Sequence, residues 1–180
     1  MPFCAINIEM AEDGCRAISN LSSDEENRKK LGAAGACMVV ASILKAFGST
    51  SKIAEVAASA VGNLSFHSQE NNALLAVEGV CELIVQAVGQ HTSHVDISRI
   101  GCTAILNLAS NNVENKSKLG KAGACAVVVE IIKNLKADEA VARSALLTVT
   151  TLAVNHAENK ASLGELDICR YLIEILELYR

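Results

Sequence analysis

The 180-residue sequence contains no tryptophan and a single proline, Pro2, and aromatic residues make up only 3% of it. With so little proline, nothing beyond the first residues forces a helix to break. With so few aromatics, the interior must be built from Ala, Val, Ile, Leu and Cys, a composition suited to slender, closely stacked helices. Hydrophobic residues are 51% of the chain, far too many for a disordered one. Basic residues are scarce as well: 16 Lys and Arg against 20 Asp and Glu give a formal net charge of −4, whereas a nucleic-acid module of this size presents a basic stripe. No nucleic-acid partner is expected. No run of 18 apolar residues occurs, and Met1–Glu12 has neither a basic n-region nor a long apolar stretch, so neither a membrane span nor a signal peptide is expected. Seven cysteines with no CxxC pair fit a reduced cytoplasmic or nuclear setting better than a disulfide framework.

What the sequence does contain is a repeat. The segment EENRKKLGAAGAC recurs as QENNALLAVEGVC, VENKSKLGKAGAC and AENKASLGELDIC. Asn27, Asn71, Asn115 and Asn159 are 44 residues apart, and Cys37, Cys81, Cys125 and Cys169 keep the same step. A second block, AISNLS, AVGNLS, AILNLA and VTTLAV, places Leu21, Leu64, Leu108 and Leu152 at steps of 43, 44 and 44, because the first loop lacks one residue. A period in this range marks a stacked array whose single copies cannot bury their own apolar faces.

Within a copy, Ile53, Ala57, Ala60, Val61 and Leu64 form the stripe of an amphipathic helix, and Ile97, Gly101, Ala104, Ile105 and Leu108 repeat it. A second helix is predicted over Val39–Phe47, matched by Leu83–Val88 and Val127–Leu135, with Gly35, Gly79 or Gly123 just ahead of it. A shorter helix after the repeated Asn completes a three-helix unit.

The ENK…LG…GAC run, the ladder of small residues and the Asn-Leu pairs at Asn20-Leu21, Asn63-Leu64 and Asn107-Leu108 together resemble the armadillo repeat family. The resemblance implies an all-α, right-handed superhelical solenoid of three-helix repeats. It also implies one repeat domain over 1–180, with partial units at 1–26 and 159–180 and repeats at 27–70, 71–114 and 115–158. In that family the third helices line a concave groove, and the Asn of each Asn-Leu pair hydrogen-bonds an extended peptide through its amide donor and acceptor. The role falls by position to Asn20, Asn63 and Asn107. Residues four and eight before each Asn share its face: Glu12 and Arg16, Glu55 and Ser59, Arg99 and Thr103. The last copy adds Arg143, Leu147 and Thr151. Glu12 and Glu55 at one end and Arg99 and Arg143 at the other predict a polarised groove. The chain departs from the family in lacking an inter-helix proline, in having Asp167 for Gly and Thr151 for Asn, and in lacking Trp four residues before each Asn. Recognition of nuclear-import signals is therefore not expected.

No catalytic set, metal or cofactor is expected. His91 and His94 have only Asp96 nearby, too few ligands for zinc. The ladder beginning at Cys37, together with Cys15 and Cys102, reads as small buried hydrophobes; Cys4 has no assigned role. LGAAGA and LGKAGA do not match a phosphate loop. His67 and His156 are expected in surface loops. Arg28, Lys29, Lys30, Lys116, Lys118 and Lys121 are expected on a solvated outer surface. The last segment, CRYLIEILELYR, is as apolar as its internal counterpart, and the first begins directly with a third helix. The expected function is thus a protein-binding adaptor, with a self-associating segment of a longer array as the alternative.

Overall fold

The computed structural model describes residues 7–180, leaving Pro2 and Cys4 outside the described part. Twelve α-helices, and no strand, occur among the described residues. Third-type helices are the longest: α1 (Ile8–Leu21), α4 (Ser51–Ser65), α7 (Val95–Ala109) and α10 (Glu139–Ala153). First-type helices are short: α2 (Glu25–Ala33), α5 (Gln69–Val77), α8 (Val113–Lys121) and α11 (Ala157–Glu165). Second-type helices are α3 (Ala36–Phe47), α6 (Val80–Gly89), α9 (Ala124–Leu135) and α12 (Ile168–Leu178). Each type packs side by side along the chain, third on third and second on second, in an all-α solenoid. No single helix among the described residues is long and apolar enough to cross a membrane.

The second helices begin about three residues before the predicted starts, immediately after a glycine. Gly35, Gly79 and Gly123 adopt φ of 90°, 76° and 93°, the left-handed region that an L side chain resists. They bend the chain by 74° between α2 and α3 and by 78° between α5 and α6. Asp167 takes the same conformation, with φ of 61°, and its carboxylate accepts a hydrogen bond from Arg170 Nε at 2.7 Å. The fourth turn is kept without its glycine. At the other junction, third helix to first, His67, Asn111 and Asn155 have φ of 49°, 54° and 55°, and the next residue caps the first helix. Ser68, Asn112 and His156 accept from the amides of Asn71, Asn115 and Asn159, as Asp24 does from Asn27, filling orphan donors of the first turn.

The core is one continuous cluster of small and aliphatic side chains. Ile53, Ala57, Ala60, Val61 and Leu64 are fully buried, as are Ile97, Ala104, Ile105 and Leu108, each large one contributing roughly 1.5–3 kcal/mol. The repeated Asn rivets one copy to the next. Asn71 Nδ2 donates to Leu64 O at 2.9 Å and Arg28 O at 3.3 Å. Asn115 does the same to Leu108 O and Asn72 O, and Asn159 to Leu152 O and Lys116 O. Asn27 is half-buried and takes no part in this pattern, because no first helix precedes it among the described residues.

Cys15, Cys37, Cys81, Cys102 and Cys125 are buried, as expected for packing residues. Cys37 and Cys125 turn their thiols toward the carbonyls of Asn71 and Asn159, each at 3.9 Å. Cys169 is exposed and departs from that expectation, because among the described residues no first helix lies against it as α5 does against Cys37. Two other surface assignments are corrected. Arg28 and Lys116 are only 6% exposed, since each turns its cation inward onto a backbone carbonyl. His156 is buried, its Nδ1 capping α11 and its Nε2 2.9 Å from Ser117 Oγ. An accepting Nδ1 places the ring proton on Nε2 in the neutral form.

Candidate functional site

The exposed face of the third-helix layer carries the residues assigned to the groove. Arg16, Asn20, Thr103 and Arg143 are exposed, while Glu12, Glu55, Ser59, Asn63, Arg99, Asn107 and Thr151 are half-buried. They stand on this face because the opposite side of each third helix is taken by the buried apolar stripe. Small residues let the layer close up: at Gly62, a Cβ would sit 3.7 Å from Ala104 Cα. A depression of about 150 Å³ is lined by Arg16, Ser19 and Asn20 of α1, Glu55, Val56 and Ser59 of α4, and Ile100 of α7. Three successive third helices thus share one concavity, and four of the assigned residues meet in it.

The asparagines are not equivalent. Asn63 Nδ2 donates to Ser19 O at 2.8 Å and to Ser19 Oγ at 3.0 Å, and Ser19 Oγ lies 2.7 Å from Ser59 Oγ. Asn107 Nδ2 donates to Gly62 O at 2.9 Å. Both amides therefore tie one third helix to the one before it, through a local backbone contact that spacing could not reveal. Their Oδ1 atoms remain as acceptors on this face. Asn20 is exposed and makes no such tie. Thr151, in the Asn position of α10, returns its hydroxyl to Leu147 O of its own helix at 2.9 Å. The link between α7 and α10 passes instead to Thr148, whose one hydroxyl proton is shared between Cys102 O at 2.9 Å and Ser144 O of its own helix at 2.8 Å.

The charges are more balanced than their order in the sequence predicts. Arg16 Nη2 lies 2.8 Å from Glu12 Oε1 and Lys52 Nζ lies 3.8 Å from Glu12 Oε2. The Arg16 hydrogen bond holds the Glu12 carboxyl below the usual carboxylate range. Glu55 has no ion pair within 4.0 Å among the described residues, although it shares the depression with Arg16 and, after the Glu12 hydrogen bond, helps to raise the Arg16 pKa. Arg99 leans on Asp96 at 3.5 Å, and Arg143 has no carboxylate partner among the described residues.

No protein-family model matches the chain, and no curated protein matches it. Solved structures do. A designed armadillo repeat protein in complex with the peptide (KR)4 superposes with a TM-score of 0.79 at 24% identity, over 94% of this chain and 72% of that one. Computationally designed armadillo repeat proteins for modular peptide recognition give 0.80 at 24% identity, over 96% and 70%. An engineered protein gives 0.81 at 19% identity, over 94% and 67%. The fold is that of the designed armadillo proteins.

In that armadillo-like frame the remaining candidates separate from the face. His91 Nε2 lies 3.2 Å from Ser49 O and His94 Nδ1 caps α7. Among the described residues no three of His, Cys, Asp and Glu gather where they could hold a metal ion. Burial raises the thiols of Cys15 and Cys37 to about 11 and those of Cys81 and Cys102 to about 12, so the nucleophilic thiolate is absent from them at neutral pH. The chemistry on offer is hydrogen bonding and charge on the third-helix face.

Proposed function

We propose that the protein is a binding scaffold whose third-helix face forms a concave groove for an extended peptide segment of a protein partner. The observation that carries this is the shared depression lined from α1, α4 and α7, with Asn20 in its wall and Asn63 hydrogen-bonded to Ser19, another of its lining residues. An extended backbone laid across successive helices meets an amide at each step, and the side chains between them set specificity. Solved structures of the same fold include one in complex with a peptide. The residues assigned to the groove are Asn20, Asn63, Asn107, Arg16, Glu55, Ser59, Arg99, Thr103 and Arg143, within one armadillo-type domain over 1–180 in a cytoplasmic or nuclear setting. The reading involves no catalysis, metal or nucleic acid. Glu55 selects a basic residue and Arg143 an acidic one, leaving a shallower gradient than four aligned charges would give.

The test uses substitutions at surface side chains that tie no two helices together. Asn20→Ala and the pair Arg99→Glu, Arg143→Glu stand on exposed or half-exposed positions and should leave the melting curve unchanged. Proteins captured from a lysate by the natural sequence should be lost with these variants. Retention of all of them would refute the groove. A second reading, self-association, is favoured by a mostly apolar depression of about 350 Å³ lined by Leu146, Leu147, Ile175, Leu176 and Tyr179, with Glu139 and Arg143 on its polar side. Leu147→Glu with Leu176→Glu would lower a concentration-dependent mass in sedimentation if that contact forms.

A further inference from the structure

Positions 28, 72, 116 and 160 are equivalent in the 44-residue step and hold Arg, Asn, Lys and Lys; Lys160, in the last copy, is exposed, whereas the other three turn inward. All three lie on first helices, next to the place where two successive third helices end, and are nearly buried, Arg28 and Lys116 at 6% exposure and Asn72 at 5%. Arg28 Nη1 donates to Ser22 O at 2.7 Å, with its guanidinium 5.6 Å from the centre of the Phe66 ring. Lys116 Nζ donates to Val154 O at 2.9 Å. Neither cation has a carboxylate partner among the described residues. The fold holds both on carbonyls at helix C-termini, where the backbone dipoles converge with negative sign.

Asn72 is too short to reach as far. Its Nδ2 donates to Asn107 O at 3.4 Å, its Oδ1 is buried with no partner, and beside it lies a cavity of about 280 Å³. The cavity is lined by Ser65, Phe66, Ser68, Asn72, Asn107 and Ser110, among others. Ser65 is the counterpart of Ser22 and Ser110 that of Val154, the residues whose carbonyls hold the two internal cations. A buried acceptor without a donor costs roughly 1–3 kcal/mol until it is satisfied. We propose that this cavity receives a lysine or arginine side chain of the bound partner segment, supplying from outside the cation that Arg28 and Lys116 supply from within. The ammonium or guanidinium hydrogen-bonds the carbonyls at the ends of α4 and α7 and, with a turn of the Asn72 side chain toward the cavity, the otherwise covered Oδ1. The proposal rests on the groove reading, because Asn107 belongs to both the cavity and the groove.

The experiment is an NMR titration of the full chain with methylguanidinium chloride, with tetramethylammonium chloride as the control for ionic strength. A second titration uses a serine-alanine peptide carrying one central arginine. Methylguanidinium should give saturable shifts at the amides of Ser65–Asn72 and Leu106–Asn111 with a dissociation constant on the order of 1 mM, the range for so small a ligand. Tetramethylammonium, which has no N–H, should give none. Asn72→Lys, which fills the cavity as Lys116 does next door, should weaken methylguanidinium at least about tenfold, a difference of about 1.4 kcal/mol; if that variant fails to fold, Asn72→Leu makes the same test by removing Oδ1. Absence of saturable shifts, or equal binding by the folded variant, overturns the cavity. The arginine peptide should bind at least about tenfold more tightly than methylguanidinium and lose that gain in Asn20→Ala. Peptide binding no tighter than the small cation overturns delivery by a groove-bound segment and leaves a cation pocket alone.

Discussion

Replacing Asn115 by Ala separates a structural role for the repeated Asn from a functional one. The side chain is 1% exposed, and its Nδ2 donates to Leu108 O at 3.0 Å and to Asn72 O at 3.4 Å. The shorter bond closes the end of α7, and the longer one reaches the preceding first helix. Substitution removes both and leaves the Leu108 carbonyl, near the end of α7, short of a donor in a buried place. At about 0.5–1.5 kcal/mol per net hydrogen bond, plus a fraction of the penalty for an unsatisfied acceptor, the loss comes to about 2–3 kcal/mol. For a chain of this size that corresponds to roughly 4–12 °C in Tm.

Asn27→Ala is the internal control. It changes the same letter of the same motif, yet the half-buried Asn27 side chain makes neither bond among the described residues, so its loss should stay within about 0.5 kcal/mol. Urea denaturation followed by circular dichroism, with the slope checked for each variant, measures both. Repeat arrays can lose cooperativity, so a changed slope would itself place the damage at the boundary between α5 and α8. Equal losses for Asn27→Ala and Asn115→Ala would refute the inter-copy rivet.

Asp167→Gly should stabilise the protein by about 0.5 kcal/mol, because glycine adopts the left-handed φ without the Cβ clash and the exposed Asp167–Arg170 pair is worth little; a loss greater than about 1 kcal/mol in denaturant melts would show that the pair, not the backbone, governs the turn. Burial raises the thiols of Cys81 and Cys102 to about 12 and those of Cys15 and Cys37 to about 11, so the unfolded chain gives up these protons first. Their contribution to stability is complete below about pH 8.5, the ordinary thiol value, and is lost as the pH rises toward the folded values. Cys102→Ala should accordingly flatten the alkaline fall in stability by up to about 1.4 kcal/mol per pH unit, and an unchanged slope would contradict the protonated buried thiol.

The solenoid was legible because the signals that specify it are periodic. The 44-residue step, the apolar stripes and the glycine ahead of three of the four second helices are each written several times in the sequence. The roles of single polar residues were less legible, because they depend on which carbonyl lies within reach. Asn63 and Asn20 share a motif, yet Asn63 ties α4 to Ser19 O while Asn20 is exposed and ties no neighbouring helix among the described residues. Arg28 looks like the neighbouring Lys29 and Lys30 in composition, but only Arg28 points along the seam between α1 and α4, where Ser22 O awaits a donor. Equivalence in the repeat then becomes informative at its exceptions. Thr151 abandons the Asn tie and Thr148 assumes it through Cys102 O, so the link between helices persists although its residue moves. At position 72 no neighbouring residue assumes the missing cation's place: the cavity stays open and Asn72 Oδ1 stays unpaired. A substitution that the array compensates internally marks a requirement of the fold, and one that it leaves uncompensated is where recognition should be sought.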